Sequence, residues 1–353
     1  MTVLYVIIAI LLFGLLIIVH EGGHFAAAKL CGVRVNEFSV GMGPAIFKRT
    51  RGETQYSIRC IPFGGYCAMA GEDEKSDDPR AFTSQPAWKR VIILVAGSFM
   101  NFILGLVILF ILYAPAKAFT APIIDSFMEG CPYEGEDALQ AGDRFKSIDG
   151  HAIHEYYDVS DYLDNGSDVH DIVVIRDGKR VKLENFEMKR IEYEGSEGRL
   201  LYGFYFGYEE ANLLTVTKNV WSTAMEFCRW VWEGISQLFS GDVGVDDLSG
   251  PVGIVALMAE TGEQAETATD AFYSIFYIGA FIAVNLAMMN MLPIPALDGG
   301  RVFLLIVTAV IESITHKKLD PKYEGYIHAA GMILLLALMA FIMFNDVLKL
   351  IKK

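Results

Sequence analysis

Two histidines stand four residues apart in His20-Glu21-Gly22-Gly23-His24, with a glutamate directly after the first. On a helix, positions i and i+4 share a face, so both imidazoles can reach one cation while the carboxylate polarises and deprotonates a water beside it. Zn²⁺ suits those donors, and a catalytic zinc takes three protein ligands with a fourth position open. The stretch follows Val3 to Val19, a run without charge, and ionisable groups at membrane depth need internal partners and mark functional sites. Gly22 and Gly23 are each ~1 kcal/mol poorer than Ala in a helix in water. In a membrane bundle, residues this small admit a neighbouring backbone, which is the expectation for both.

A third ligand should come from another apolar segment. Asp298, in Asn290-Met291-Leu292-Pro293-Ile294-Pro295-Ala296-Leu297-Asp298, is the only acid between Asp270 and Glu312. Pro293 and Pro295 break the helix before it, and broken backbone at depth is tolerated where it lines a wet or protein-filled cavity. Alone, Asp298 also suits a helix cap. Beside a two-histidine motif that lacks a ligand, it is the favoured third donor.

The elements that position these residues are apolar. Val91 to Ala116 and Ala271 to Leu297 carry no basic residue and, Asp298 lying just beyond, no acid, and Ile327 to Phe344 is broken only by His328. With the first run they make about four segments near the ~20 residues that cross a bilayer. The first run lacks the basic flank of a signal peptide, and cleavage would part it from the histidines. The fold expected is therefore a polytopic α-helical membrane protein. Its divisions are a first span at 1–30, a cytoplasmic or membrane-associated β region and loop at 31–90, and a second span at 91–116. An external module follows at 118–207, then interfacial helices and a linker at 208–270 around Trp221, Trp230 and Trp232. A third span at 271–315, a cytoplasmic loop at 316–325 and a fourth span at 326–348 complete it.

Charge orients the chain. Residues 118–270 hold 30 acidic and 11 basic residues, while the remainder is net +5 within a total of −14. Lys29 to Arg90 holds ten Lys or Arg, and Arg301 to Lys322 holds four. By the positive-inside rule both connections face the cytoplasm, leaving the N-terminus and the acidic region outside, with the histidines near the cytoplasmic side. The acidic balance argues against nucleic acid as a partner. Cys31, Cys60 and Cys67 fall on the reducing side and Cys131 and Cys228 outside, where pairing of the last two is left open. Gln55 to Ile61 alternates as a strand, with Arg51-Gly52 placed for a hairpin turn, and its Gly/Pro-rich flanks are apolar enough to lie against the bilayer. Asp171 to Lys189 reads as strand, turn at Asp177-Gly178, and strand.

The chain resembles the site-2 protease family, and within it the bacterial PDZ-containing branch. The resemblance rests on His20-Glu21-x-Gly23-His24, on Asn290-x-x-Pro293 leading to Leu297-Asp298-Gly299, and on Ala141-Gly142-Asp143 through Ile148-Asp149-Gly150. Ile61-Pro62-Phe63-Gly64-Gly65-Tyr66, Gly97-x-x-x-Asn101 and Gly250-Pro251-Val252-Gly253-Ile254 also match. Gly22 replaces a residue that is usually large and apolar, and one PDZ-like module fits here where many relatives carry two. The resemblance implies an intramembrane zinc endopeptidase acting on single-span membrane proteins after a prior external cut. Anti-sigma factors and signal-peptide remnants are the substrates it implies, and an external PDZ-like α/β domain screens them. His20, His24 and Asp298 would hold Zn²⁺ with Glu21 as base. Asn290 and Asn101 serve either to position substrate or as interhelical hydrogen bonds. The competing class is an inactive zinc-binding scaffold that recruits partners through its PDZ module, against which the intact Glu21 argues. A metal transporter would place ionisable groups across the full membrane depth, and the second span has none. The sequence does not specify oligomeric state.

Overall fold

The computed structural model describes residues 2–72, 76–164, 167–194, 196, 198–241, 244, 250–315 and 322–352. The chain forms two compact units, 1–112 with 223–353, and 113–222. In the first unit the opening run is one helix, α1 (Thr2–Cys31). It stops at Gly32, whose φ of +81° suits the left-handed residue after a helix, and the Val33 amide closes it onto the Ala28 carbonyl at 2.8 Å. Two long strands follow, β1 (Val35–Arg51) and β2 (Thr54–Met69), turning at Gly52-Glu53, one residue beyond the expected Arg51-Gly52 because Arg51 still belongs to β1. They curl, so Phe38 and Ser39 lie between Cys67 and Tyr66 on one side and Tyr56 and Ser57 on the other. Residues 65–69 are left along an outer edge. Helix α2 (Ala87–Tyr113) then crosses α1. A Cβ on Gly23 would lie 2.4 Å from the Ala96 carbonyl oxygen, so this glycine does admit a backbone. Gly22 meets open space instead, and the expectation of close packing fails there.

The second unit is built on an antiparallel sheet of β3 (Ala118–Phe127), β4 (Arg144–Ile148), β5 (His151–Ala152), β6 (Val169–Arg176), β7 (Lys179–Glu187) and β10 (Phe204–Glu210), in the order β10-β3-β4-β6-β7 with β5 on β4. Helix α3 (Tyr156–Asp164) packs Val159 and Leu163 into a core with Ile124, Phe145, Ile148 and Ile172. The β6–β7 turn falls at Asp177-Gly178, both left-handed, the type I′ geometry that follows strand twist. A small pair, β8 (Ile191–Glu192) with β9 (Leu200–Leu201), stands apart. Asp143 is fully buried and held by the Arg176 guanidinium through both carboxylate oxygens.

Helix α4 (Leu213–Ser240) is long and amphipathic. Phe227 sits against Tyr277 and Phe281, while Trp221 and Trp232 are exposed. The remaining helices are α5 (Pro251–Gln264), α6 (Ala268–Asn290), α7 (Asp298–Thr315) and α8 (Lys322–Lys352). Among the described residues four helices are long and apolar enough to cross a membrane: Val3–Cys31, Ala87–Tyr113, Ala268–Asn290 and Gly325–Asp346. The segment 271–315, expected as one span, is thus two helices, of which only α6 qualifies, because Pro293 and Pro295 break it. Most of the loop expected at 316–325, residues 316–321, lies outside the described residues. All five cysteines are unpaired.

The Gly250-Pro251-Val252-Gly253 turn has a physical cause in α8. The Asp346 carboxylate, 2% exposed, accepts the amides of Gly250 at 3.0 Å and Gly253 at 2.9 Å and so caps α5. A Cβ on either glycine would meet that carboxylate at 2.9 Å.

Candidate active site

The helical spacing does what the motif requires. His20 and His24 lie one turn apart on α1 with Nε2 atoms 3.3 Å from each other. Asp298 begins α7, where a cap would sit, yet its Oδ2 lies 3.3 Å from His20 Nε2 and 3.3 Å from His24 Nε2. Three edges of 3.3 Å match a tetrahedron of ligands at ~2.0–2.1 Å from a central ion, whose edges are ~3.3–3.4 Å. The tautomers agree with such an ion. His24 Nδ1 is 2.8 Å from the Ile93 carbonyl and must carry the proton, which turns the Nε2 lone pair inward. Asp298 Oδ2 is buried, and among the described residues no hydrogen-bond partner meets it. Three electron-rich atoms in mutual contact, screened from water, are the surroundings of a cation and not of a hydrogen-bond network.

Glu21 projects toward the β region. A Cβ placed on Gly65 would lie 3.1 Å from Glu21 Cγ, and the Cys67 backbone lies near its carboxylate. The outer edge at 65–69 therefore runs alongside the glutamate. That edge belongs to a stiff sheet: Arg59 bridges Glu37 at 2.7 Å, Ser57 donates to Glu37 at 2.6 Å, and Arg59 also bonds the Tyr66 hydroxyl. Burial alone would raise the Glu37 carboxyl, but the bonds from Ser57 and Arg59 prevail and hold it down to about 2.

The two asparagines part company. Asn290, the last residue of α6, lies with Nδ2 3.5 Å from His20 Nε2, on the side where the three donor atoms converge. Asn101 of α2, 1% exposed, lies with Nδ2 3.4 Å from His20 Nδ1, on the reverse side of the ring. Sequence reasoning met Gly97 only as part of a motif and missed its role: a Cβ there would collide with the His24 imidazole at Nε2, so this glycine makes room for the ring. It also missed the fit of Gly299 and Gly300, whose Cβ atoms would strike the Met291 and Ile294 carbonyls at 2.2 and 2.1 Å. Both signals depend on which helix crosses where, and one-dimensional spacing does not contain that. Arg301, one turn after Asp298, pairs with Glu72 just beyond β2 and ties α7 to the β region.

A family model for peptidase family M50 matches residues 8–338. The chain is 34% identical over 350 residues to a protein of Clostridium acetobutylicum named as a zinc metalloprotease, covering 97% of both. A Fusobacterium nucleatum protein named likewise is 34% identical over 354 residues, with 98% of both covered. The regulator of sigma-W protease RasP of Bacillus subtilis is 29% identical over 429 aligned positions, again with 98% of both covered. The matched span contains both histidines, carried on a helix long and apolar enough to cross a bilayer, and the aspartate that meets them at the start of α7. This chain belongs to peptidase family M50, the site-2 proteases, and is a zinc metalloprotease of the multi-pass membrane kind.

Proposed function

We propose that the chain hydrolyses a peptide bond inside the membrane-spanning segment of single-span membrane proteins. The reading is carried by the convergence of His20 Nε2 and His24 Nε2, on the membrane-length helix α1, with Asp298 Oδ2 at the start of α7, and by Glu21 next in sequence to the first. His20, His24 and Asp298 would hold Zn²⁺, which when bound supplies Lewis acidity and lowers the pKa of a water towards ~7. Glu21 takes the proton of the attacking water and passes it to the leaving amine. Asn290, on the convergent side of His20, is placed to donate to the scissile carbonyl as charge develops on it.

A helical substrate hides its carbonyls in its own hydrogen bonds and must be unwound first. The 65–69 edge beside Glu21 offers a strand on which the freed segment can pair. Residues 113–222 act as the PDZ-like module that selects substrates outside the cell membrane after their external domains are removed. The resemblance supports that role, and it supports anti-sigma factors and signal-peptide remnants as substrate classes. The name of the Bacillus subtilis relative, a regulator of sigma-W protease, points to the first of these.

The test is Glu21→Gln in detergent or lipid, measuring bound zinc together with cleavage of a single-span substrate. Zinc near one per chain in both proteins is expected, with cleavage ~10²–10⁴-fold lower in the variant. A variant that cleaves as fast as the natural chain would remove Glu21 from the mechanism. A folded natural chain without zinc would overturn the ligand assignment.

A further inference from the structure

Between α6 and α7 the chain makes a turn that ought to be unstable. Leu297 donates its amide to the Ile294 carbonyl at 3.1 Å, closing a four-residue turn with Pro295 second and Ala296 third. Ala296 has a φ of +83°. That is the type II turn, whose third position calls for glycine. An alanine there is strained, and the strain sits two residues before Asp298.

In a type II turn the amide of the third residue points away from the turn's own hydrogen bond. Here it has a partner from the far end of the chain: the Ala296 N–H donates to Nδ1 of His328 on α8 at 3.3 Å. Nδ1 is thus the acceptor nitrogen, and Nε2 carries the proton of the neutral ring. One turn further along, α8 presses its backbone on the same loop. A Cβ on Gly331 would lie 2.4 Å from Pro295 Cβ and 2.7 Å from its carbonyl carbon. Among the described residues of Gly325–Asp346 only Asp346, the cap of α5, is buried. Since lipid gives apolar helices no hydrophobic drive to associate, small-residue approaches and polar contacts decide where this helix docks.

We propose that His328 is a positioning residue for the metal ligand Asp298. It accepts the Ala296 amide, holds the strained turn in its type II form, and thereby sets the direction from which α7 begins and Asp298 meets the histidines. Gly331 permits the approach. This rests on the reading of Asp298 as a zinc ligand, so its test separates zinc retention from proteolysis.

The full-length protein, loaded with zinc in detergent, is challenged with a chelator, and the rate of zinc loss is followed beside kcat and KM for a single-span substrate. His328→Leu should lose zinc about tenfold faster and lower kcat by a similar factor, with KM little changed, in keeping with the 10- to 100-fold cost of removing outer-shell support. His328→Asn, whose Oδ1 takes the place of Nδ1, should restore both rates to within about threefold of the natural protein. Ala296→Gly removes the strain, so in the His328→Leu background it should recover most of the lost zinc retention. A His328→Leu protein that melts normally and keeps zinc as long as the natural chain overturns the proposal. So does a defect that neither His328→Asn nor Ala296→Gly relieves, because general destabilisation would produce that. If the natural protein held zinc but cleaved nothing, the proteolytic reading would fail while the zinc-loss comparison still decided the role of His328.

Discussion

Asn101 shows how a single side chain changes meaning when its surroundings are known. Its Oδ1 is buried without a partner, while its Nδ2 faces His20 Nδ1 at 3.4 Å. For His20 to offer Nε2 to a metal, Nδ1 must carry the proton, and a proton requires an acceptor opposite it. Turning the amide by half a revolution supplies Oδ1 to that proton and removes the orphaned oxygen, since amide O and N are told apart by their hydrogen bonds. On this geometry Asn101 would support a ligand from behind and stand clear of the substrate. Asn101→Leu should accordingly weaken zinc binding by ~10- to 100-fold, whereas Asn290→Leu should leave zinc in place and lower kcat. Titrating both variants with zinc under a competing chelator distinguishes the roles, and equal zinc affinity in the two would end this division of labour. The convergence of His20, His24 and Asp298 was legible because helix periodicity and membrane cost act on sequence directly. The different stations of Asn101 and Asn290 were not, since they depend on which side of one imidazole each neighbouring helix passes.

The elements carry the same lesson with longer reach. The hairpin turn near Arg51-Gly52 could be read from alternation and a glycine, but nothing local announces that residues 37–40 are flanked on both sides by the same partner strand. That curl is what leaves 65–69 as an edge next to α1. Its amides alternate in direction: Met69 donates to the Glu72 side chain at 3.3 Å, away from the sheet, and the Cys67 amide, two residues before it, shares that direction. Proline at position 67 removes an outward donor and spares the inward ladder, the one strand setting in which proline is tolerated. If substrate pairs along this edge, Cys67→Pro should retain zinc and lose at least about tenfold in cleavage, while Cys67→Ala, which keeps the amide, should cleave normally. Full activity in the proline variant would exclude strand pairing there. The helical break shows the converse case. Pro293 and Pro295 foretold it, but the length of α7 beyond it did not follow from apolarity, because one face of α7 is polar enough that the charge-free run ends at Leu297.

At the scale of the whole molecule the governing quantity is charge. Four membrane-length helices among the described residues, each crossing once, would bring the chain back to the side where it began, so one assignment of sidedness would fix every connection. The ten basic residues from Lys29 to Arg90 outweigh Lys349, Lys352 and Lys353 at the C-terminus, which would then lie outside. The same choice puts residues 20–24, late in the first helix, and Asp298, just past the end of the third, at one depth near the cytoplasmic face. The opposite choice would keep them together but move them to the outer face, and with them the compartment into which a cleaved segment is released. Thiol labelling in sealed vesicles decides between the two. In an otherwise cysteine-free chain, exposed Cys60 should react with a membrane-impermeant maleimide only in inside-out vesicles. Lys179→Cys, on the exposed β6–β7 hairpin of the second unit, should react only in right-side-out vesicles. Both sites labelled from the same face would contradict the four-span path itself. Labelling with the faces exchanged would keep the path but reverse the site, requiring that substrates be cut near the outer surface.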